Sequence, residues 1–397
     1  MRYSTDPPAT ADLVVIGGGV VGAATAWQAA RAGLRPVIVE ARPALCTLTT
    51  PVAAGAFRLQ FDNLEELTLV RESADLFLHF EERTGQRAYA LNVRQQGYLW
   101  LTTDEATADG QRELVKLLDQ WGQRDVEVLA GDEARRRFPF VGPEVVQARF
   151  RAGDGFLDTK QLTFGLAEAS GAEVVLRSRA SAFDTTPDGS ALTGVRTDRG
   201  TISCPVAVIA GGPLSGLLAG AAGIALPIVT IRRHKLILPD LPVVPPGAPM
   251  TIDEDTGAHW RPAFGGAWAL FTDPTTPPEP PSEAVGPDPA FAFEVLDPTS
   301  PAALARVVPF WRDVWERGDA HWILQAGQYT VTPDHRPLIG PAGPRGLFVN
   351  TGYSGHGIML GPAGSGLLAG LLTRAQPATA NPFAVDRVFA DRSPPTL

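Results

Sequence analysis

Residues 12–41 read DLVVIGGGVVGAATAWQAARAGLRPVIVEA. The run Leu13, Val14, Val15, Ile16 has the length and apolarity of a buried strand and stops at three glycines. The alanine-rich stretch 20–32 suits a helix and ends at Gly33, a residue that readily takes the left-handed backbone of a helix terminus. PVIVE at 36–40 is a second buried strand. Strand, helix and strand within about 30 residues make one right-handed βαβ unit. At its first turn Gly17-Gly18-Gly19-Val20-Val21-Gly22 spells G-x-G-x-x-G. Gly17 permits the tight turn, Gly19 lets backbone approach a pyrophosphate, and Gly22 lets the helix lie close to the strand. Val20 and Val21 open the helix, whose free N–H groups and positive end suit phosphates. Glu40 closes the second strand 18 residues past Gly22. Its carboxylate there can accept from ribose hydroxyls and disfavours a 2′-phosphate. The unit predicts a dinucleotide site but does not by itself choose between NAD and FAD.

The remainder of the chain fits around that unit. Its 397 residues suggest two or three domains at about 150 residues each. Apolar residues make up 44% and charged residues 19%, which permits a large core. The net charge of −9 speaks against a nucleic-acid or anionic-membrane surface. Two cysteines, Cys46 and Cys204, make neither a disulfide framework nor a CxxC metal site, and the six histidines show no ligand spacing, so no metal is expected. Residues 1–10 lack the apolar segment of a signal peptide, and no window reaches the roughly 18 apolar residues of a membrane span. A cytoplasmic protein without membrane or nucleic-acid partners is expected.

The pattern predicts helices over 63–85, 105–121, 161–169, 301–316 and 362–372. It predicts strands over 97–102, 172–183, 192–197, 205–210, 259–262, 267–271 and 347–350. The Pro- and Gly-rich stretch 239–289 excludes long helices. Nucleotide-domain pieces thus recur at the start, near 150–220 and at the end. The expected fold is α/β, a Rossmann-type cofactor domain with an inserted α+β, mixed-sheet substrate domain. The expected partition is 1–90, 150–220 and 330–397 for the cofactor domain, and 91–149 and 221–329 for the substrate domain.

With both ends in view, the chain resembles the D-amino-acid oxidase/sarcosine oxidase-like family of FAD-dependent oxidoreductases. Residues 12–41 look like its ADP-binding unit, and TTPVAAGAFR at 49–58 like its loop beneath the flavin. Ala210-Gly211-Gly212 is similar to its strand-end motif, and His259-Trp260-Arg261-Pro262 to its aromatic-x-Arg-Pro strand. TPDHRPLIG at 332–340 and GYSGHG at 352–357 resemble its C-terminal signature. The resemblance implies FAD. It places Gly17, Gly19, Val20, Val21, Gly22, Glu40, Ala41 and Arg42 at the adenosine and pyrophosphate, and Thr49, Thr50, Gly55, Ala180 and Gly212 along the cofactor. Gly352, Gly355, His356, Gly357, Ile358 and Met359 fall at the flavin, where a following helix can offer its positive end to charge developing on reduction.

For chemistry the resemblance points to Arg58, His259, Arg261 and Tyr353. Arg58 corresponds to an arginine that holds the substrate carboxylate, a group a guanidinium grips with two parallel hydrogen bonds; the alternative is an arginine that holds loop backbone or flavin. Arg261 supports the same argument more weakly. His259 and Trp260 alternate faces on one strand, so one of them can line the pocket. Tyr353 is expected in the cage over the flavin.

Several positions depart from the family pattern. Met359 stands where sarcosine oxidase-like members carry a carboxylate-binding lysine, and Gly355 and Tyr329 where glycine oxidase-like members carry arginines. Trp268 and Ala269 occupy the region of the oxygen-activating lysine, and Lys235, the only lysine after Lys160, lies on a different segment, which predicts slow reoxidation by air. Gly327 and Val52 replace the cysteine and histidine that tether flavin in other members, so FAD is expected to be non-covalent. These substitutions favour a larger, more apolar substrate.

The expected activity is FAD-dependent oxidation of a C–N bond, in an amine or an N-substituted or cyclic amino acid, to an imine, with an electron-acceptor protein as a partner. Two alternatives stay open: a 2-hydroxy-acid or alcohol dehydrogenase, in which a base such as His259 or His356 would matter more, and a flavin-binding subunit or assembly factor that needs a partner chain.

Overall fold

The computed structural model describes residues 1–377 and 380–390; the expected end of the cofactor domain at 391–397 lies outside the described residues. The apolar run Leu13–Ile16 sits in the middle of a seven-stranded sheet. Pro36–Val39 and Ala207–Ile209 flank it in parallel register. Glu173–Val175 and Arg2–Ser4 extend one side, and Leu347–Thr351 and the antiparallel Leu338–Pro341 extend the other. Its central strands are buried throughout because both faces are covered. Leu13 and Val15 point toward the helices Val20–Arg31, Thr159–Ala169 and Gly357–Leu372. Val14 and Ile16 point toward a three-stranded meander, Ala180–Thr185, Leu192–Thr197 and Gly200–Ser203.

A second sheet of eight strands stands beside it. Its order is Ile323–Val331, Val229–Leu238, Gly266–Phe271, Ala258–Ala263, Met250–Asp253, Tyr98–Thr102, Gln147–Arg151 and Glu127–Ala130. All its pairings are antiparallel except that of Met250–Asp253 with Tyr98–Thr102. One face packs on the helices Ala290–Leu296 and Phe310–Arg317, where Trp260 lies edge-on to Trp311, Phe310 and Phe140. The other face gathers Tyr98, Trp100, Met250, Ile252 and Leu270 with Ala56 and Phe156. The α/β class with a mixed second sheet is the one the sequence predicts.

The boundaries differ in instructive ways. The expected helix 63–85 is two helices, Leu64–Leu78 and Phe80–Thr84, interrupted at His79. The expected strand 172–183 is two strands in different sheets, Glu173–Val175 and Ala180–Thr185, parted by Arg177 at φ +52°. In the expected helix 301–316, Pro309 restarts the chain, so a 3-10 turn Leu304–Arg306 precedes the helix Phe310–Arg317. The last helix begins at Gly357, well before Pro362. Several strands lie outside the predicted set, among them Glu127–Ala130, Gln147–Arg151 and three in the same sheet whose signal is hidden. Val229–Leu238 is masked by its basic run Arg232, Arg233, His234 and Lys235, and Met250–Asp253 and Ile323–Val331 by their lack of strict alternation.

The Pro-rich segment 273–285 leaves the second sheet and crosses to the first. Glu279 pairs with Arg232 and accepts from Gln328, and the Ser282 N–H donates to Gln328 Oε1 at 2.8 Å. Beyond them the Glu283 carbonyl accepts from Arg42 Nη1 at 2.9 Å, and its carboxylate pairs with Arg179.

Candidate active site

The glycines of residues 17–22 are required by close approach. Gly17 has φ +118°, and a Cβ on it would lie 2.4 Å from the Ala210 carbonyl oxygen. A Cβ on Gly22 would lie 1.9 Å from the Gly17 carbonyl oxygen, so Gly22 serves the turn itself and does not line a groove. The helix Val20–Arg31 starts without a side-chain cap or an acidic residue in its first turn. Thr50 Oγ1 accepts from the Val20 N–H at 3.2 Å. Glu40 accepts from the Gly18 N–H at 2.7 Å and the Arg42 N–H at 2.8 Å. Burial raises its carboxyl above the usual range, and those two N–H groups oppose the rise. Each Glu40 oxygen keeps a lone pair for a further donor.

These residues border a cavity of about 380 Å3. Gly17, Gly19, Val20, Val21, Glu40, Ala41 and Arg42 line one part of it, and Thr49, Thr50, Ala180 and Gly212 continue the wall. Gly352, Gly355, Gly357 and Ile358 close another side, where the uncapped N-terminus of the helix Gly357–Leu372 begins. Open helix N-termini at two places, a ribose-competent carboxylate and glycine-lined walls fit a flavin dinucleotide. The lining also includes Ser178, Arg179, Glu283 and Gln328, from three separate segments that no local sequence pattern brings together.

Four expected cofactor residues sit elsewhere. Besides Gly22, Gly55 is a turn glycine at φ +71° whose Cβ would meet the Leu157 carbonyl oxygen at 2.3 Å. His356 and Met359 face away from the groove, toward Arg58: His356 Nε2 is 3.3 Å from Arg58 Nη2, and Met359 Sδ is 4.0 Å from Arg58 Nη1. The helix starts earlier than expected, which turns both side chains to its other side.

Arg58 is the centre of a second, side-chain-built cluster. It is 5% exposed, and its guanidinium lies over Phe61 at 4.8 Å, Trp100 at 5.4 Å and Tyr98 at 6.0 Å. Tyr98 and Trp100 share a face of one strand by simple alternation, a signal present in the sequence but not used. His259 is buried, and its ring Nδ1 lies 2.8 Å from the Gly257 carbonyl oxygen, which makes Nδ1 the donor and leaves Nε2 an acceptor. Burial, with help from Arg58, pushes its pKa down to about 4, so it is neutral at ordinary pH.

The other two catalytic candidates make contacts of a different kind. Tyr353 lines the cofactor groove with its ring, but its hydroxyl donates to Asn350 Oδ1 at 2.6 Å inside the helix packing, beside Thr25 and Ser365. Burial holds that phenol far above its ordinary range, so it is no acid–base group. Arg261 ties the loop: its Nε donates to the Ala54 carbonyl at 2.8 Å, and its guanidinium stacks over Trp268 at 3.9 Å and Phe156 at 4.3 Å. It borders a separate cavity of about 680 Å3 on the side of Pro51 and Lys235.

Lys235 overturns the expectation that no lysine stands near Trp268. Its strand pairs with Gly266–Phe271 so that Lys235 is opposite Leu270, and its ammonium lies 4.0 Å over the Trp268 ring and donates to the Pro51 carbonyl at 2.9 Å. Burial, and then Arg261 and Lys160, push its pKa down to about 7. Cys46 is buried, and burial pushes its thiol up to about 11. Among the described residues no group of three His, Cys, Asp or Glu could hold a metal, and no helix is long and apolar enough to cross a membrane.

Comparison with known proteins agrees with this geometry. A protein from Xenopus laevis named FAD-dependent oxidoreductase domain-containing protein 1 is 26% identical over 403 residues, covering 90% of this chain and 78% of that protein. Human mitochondrial sarcosine dehydrogenase is 26% identical over 368 residues, covering 89% of this chain but only 39% of that protein. The crystal structure of L-proline dehydrogenase from P. horikoshii superposes with a TM-score of 0.82 at 23% identity, covering 94% of this chain and 96% of the other. The family model described as FAD dependent oxidoreductase matches residues 12–371, nearly the whole of both sheets, and the chain belongs to that family of FAD-using enzymes.

Proposed function

We propose that this oxidoreductase oxidises a C–N bond of a carboxylate-bearing amine, an N-substituted or cyclic amino acid, to an imine. The observation that carries this reading is the burial of the Arg58 guanidinium among the rings of Phe61, Tyr98 and Trp100. A guanidinium there binds a carboxylate in two directions at once, and the low dielectric strengthens the pair. The aromatic rings and Met359 suit an apolar substrate body. His259, neutral, offers Nε2 as an acceptor to the substrate's N–H and so orients the bond to be oxidised. The flavin, when bound, supplies the chemistry by accepting the hydride at N5. The names of two similar proteins, sarcosine dehydrogenase and L-proline dehydrogenase, support the same substrate class.

In this reading residues 1–90, 150–220 and 330–397 hold the cofactor, and 91–149 and 221–329 shape the substrate side. Glu40 binds the adenosine ribose. Attachment of FAD is non-covalent: Val52 and Gly327 are neighbours, a Cβ on Gly327 falling 3.4 Å from the Val52 Cβ, and neither offers a nucleophile. Acid precipitation is expected to leave yellow FAD in the supernatant; a yellow pellet overturns this part. The central test is anaerobic bleaching of the flavin band by a panel of amines, N-methyl amino acids, cyclic amino acids and 2-hydroxy acids. Bleaching by N-substituted or cyclic amino acids is expected, and bleaching by 2-hydroxy acids alone would sink the C–N assignment.

A further inference from the structure

Behind Arg58 lies a buried carboxyl that the proposed chemistry does not use. Glu66 is in the first turn of the helix Leu64–Leu78 and is 5% exposed. Its Oε1 lies 3.8 Å from His356 Nδ1, too long for a hydrogen bond. Neither atom has any other hydrogen-bond partner among the described residues. The pair is buried, with Arg336 the nearest charge on the Glu66 side, and leaving either atom unsatisfied there is costly.

The chemistry around the pair fixes its proton. The Arg58 guanidinium has only donors, and it meets His356 at Nε2, 3.3 Å away. His356 Nε2 must therefore accept. Burial and the charge of Arg58 hold the imidazole neutral, so its single proton is on Nδ1, the nitrogen that faces Glu66. The far side of Glu66 is fixed too. Asn63 Oδ1 accepts from the Glu66 backbone N–H at 2.9 Å, so its amide nitrogen is the atom that donates to Glu66 Oε2 at 2.6 Å.

We propose that Glu66 is a positioning residue: its Oε1 selects the Nδ1–H tautomer of His356, which keeps the Nε2 lone pair on Arg58 and seats the guanidinium that binds the substrate carboxylate. The consequence for substrate rests on the function proposed above. The chain of contacts runs Asn63, Glu66, His356, Arg58, with Phe61 packed edge-on to the imidazole at 5.2 Å and under the guanidinium at 4.8 Å.

The chain makes an unusual demand on Glu66→Gln. Asn63 must still donate to position ε2, so the glutamine has to place its carbonyl there and turn its NH2 toward His356 Nδ1. That nitrogen then has to accept, and the imidazole proton moves to Nε2, donor against donor with Arg58. The near-isosteric change is therefore expected to be worse than Glu66→Leu, which leaves His356 free to keep its proton on Nδ1.

The readouts are 15N NMR of the imidazoles in the holoenzyme, assigned by loss of signals in His356→Gln, and titration with propionate followed by the flavin band. The wild type is expected to show protonated Nδ1 and bare Nε2 at His356. Glu66→Gln is expected to invert the two and to weaken propionate about tenfold or more, with flavin retained, and Glu66→Leu to do less. A wild-type His356 protonated on Nε2 overturns the proposal even if no variant folds, and so does a Glu66→Leu more impaired than Glu66→Gln. Unchanged propionate binding in Arg58→Ala would instead overturn the carboxylate-anchor reading and leave the tautomer measurement standing.

Discussion

The cofactor groove and the Arg58 cluster are adjacent and built on opposite principles. The groove takes its first wall from one short stretch, residues 17–21, and uses mainly backbone: a turn at Gly17 and a helix opening at Val20, where Thr50 takes up one N–H group. The cluster takes Arg58, Phe61, Tyr98, Trp100, His259 and His356 from well-separated segments, and uses only their side chains. Backbone chemistry depends on local spacing and tolerates any residue that fits the turn. Side-chain chemistry depends on which strands become neighbours, and here the eight-stranded sheet decides that.

The contrast predicts a gradient of effects. At the groove, Gly22→Val has no space, with a Cβ 1.9 Å from a backbone oxygen. It is expected to cost on the order of 4 kcal/mol and to yield protein without flavin, read as the ratio of flavin to protein absorbance. A yellow, soluble Gly22→Val would mean that the turn is not the cradle's foundation. In the cluster the effect should fall on substrate alone. Arg58→Ala is expected to weaken propionate by about 3 kcal/mol, the upper range for a hydrogen-bonded charge, with the flavin still bound. Loss of flavin in that variant would merge the two regions.

Glu40→Ala tests the charged side chain that holds the first wall. It removes the acceptor of the Gly18 and Arg42 N–H groups and the carboxylate proposed for the ribose, and is expected to weaken FAD by about 1–2 kcal/mol in equilibrium dialysis. Unchanged affinity would make the groove wholly a backbone device. The smallest expected effect concerns Lys235. Its pKa, pushed down to about 7, means that the ammonium is charged below that pH and neutral above it. A nearby positive charge favours electron transfer to O2. Reoxidation of the reduced enzyme in stopped flow is therefore expected to slow severalfold as pH rises through about 7, and Lys235→Met to flatten that profile. A profile already flat in the wild type would take Lys235 out of the reaction.

Legibility in the sequence follows the same divide. Residues 12–41 disclosed strand, turn, helix and ribose acid because each is coded within a few positions, and the fold class followed from that unit and the signature near 352–357. The family-derived Arg58 is buried among aromatic rings from other segments, a setting its own stretch of sequence does not disclose. Its neighbour Glu66 went unread, since a glutamate in the first turn of a helix is ordinary at the surface and only tertiary packing buries this one. Lys235 was set apart from Trp268 because they are distant in sequence, and a strand pairing brings them together. Tyr353 has the right place for a flavin cage, but the Asn350 carbonyl claims its hydroxyl.

The segment 273–285 bears on how long a cofactor molecule stays. Its Glu283 lines the groove and is tied across it to Arg42 and Arg179. The Arg179–Glu283 pair is half-exposed, so it contributes little to affinity. The pair lines the same groove, and the salt dependence of flavin release tests whether its opening precedes departure. In that case residence time is set apart from equilibrium binding: salt, which screens an exposed ion pair, is expected to hasten departure more than it weakens the complex. The enzyme would keep its cofactor through dilution because the exit is slow.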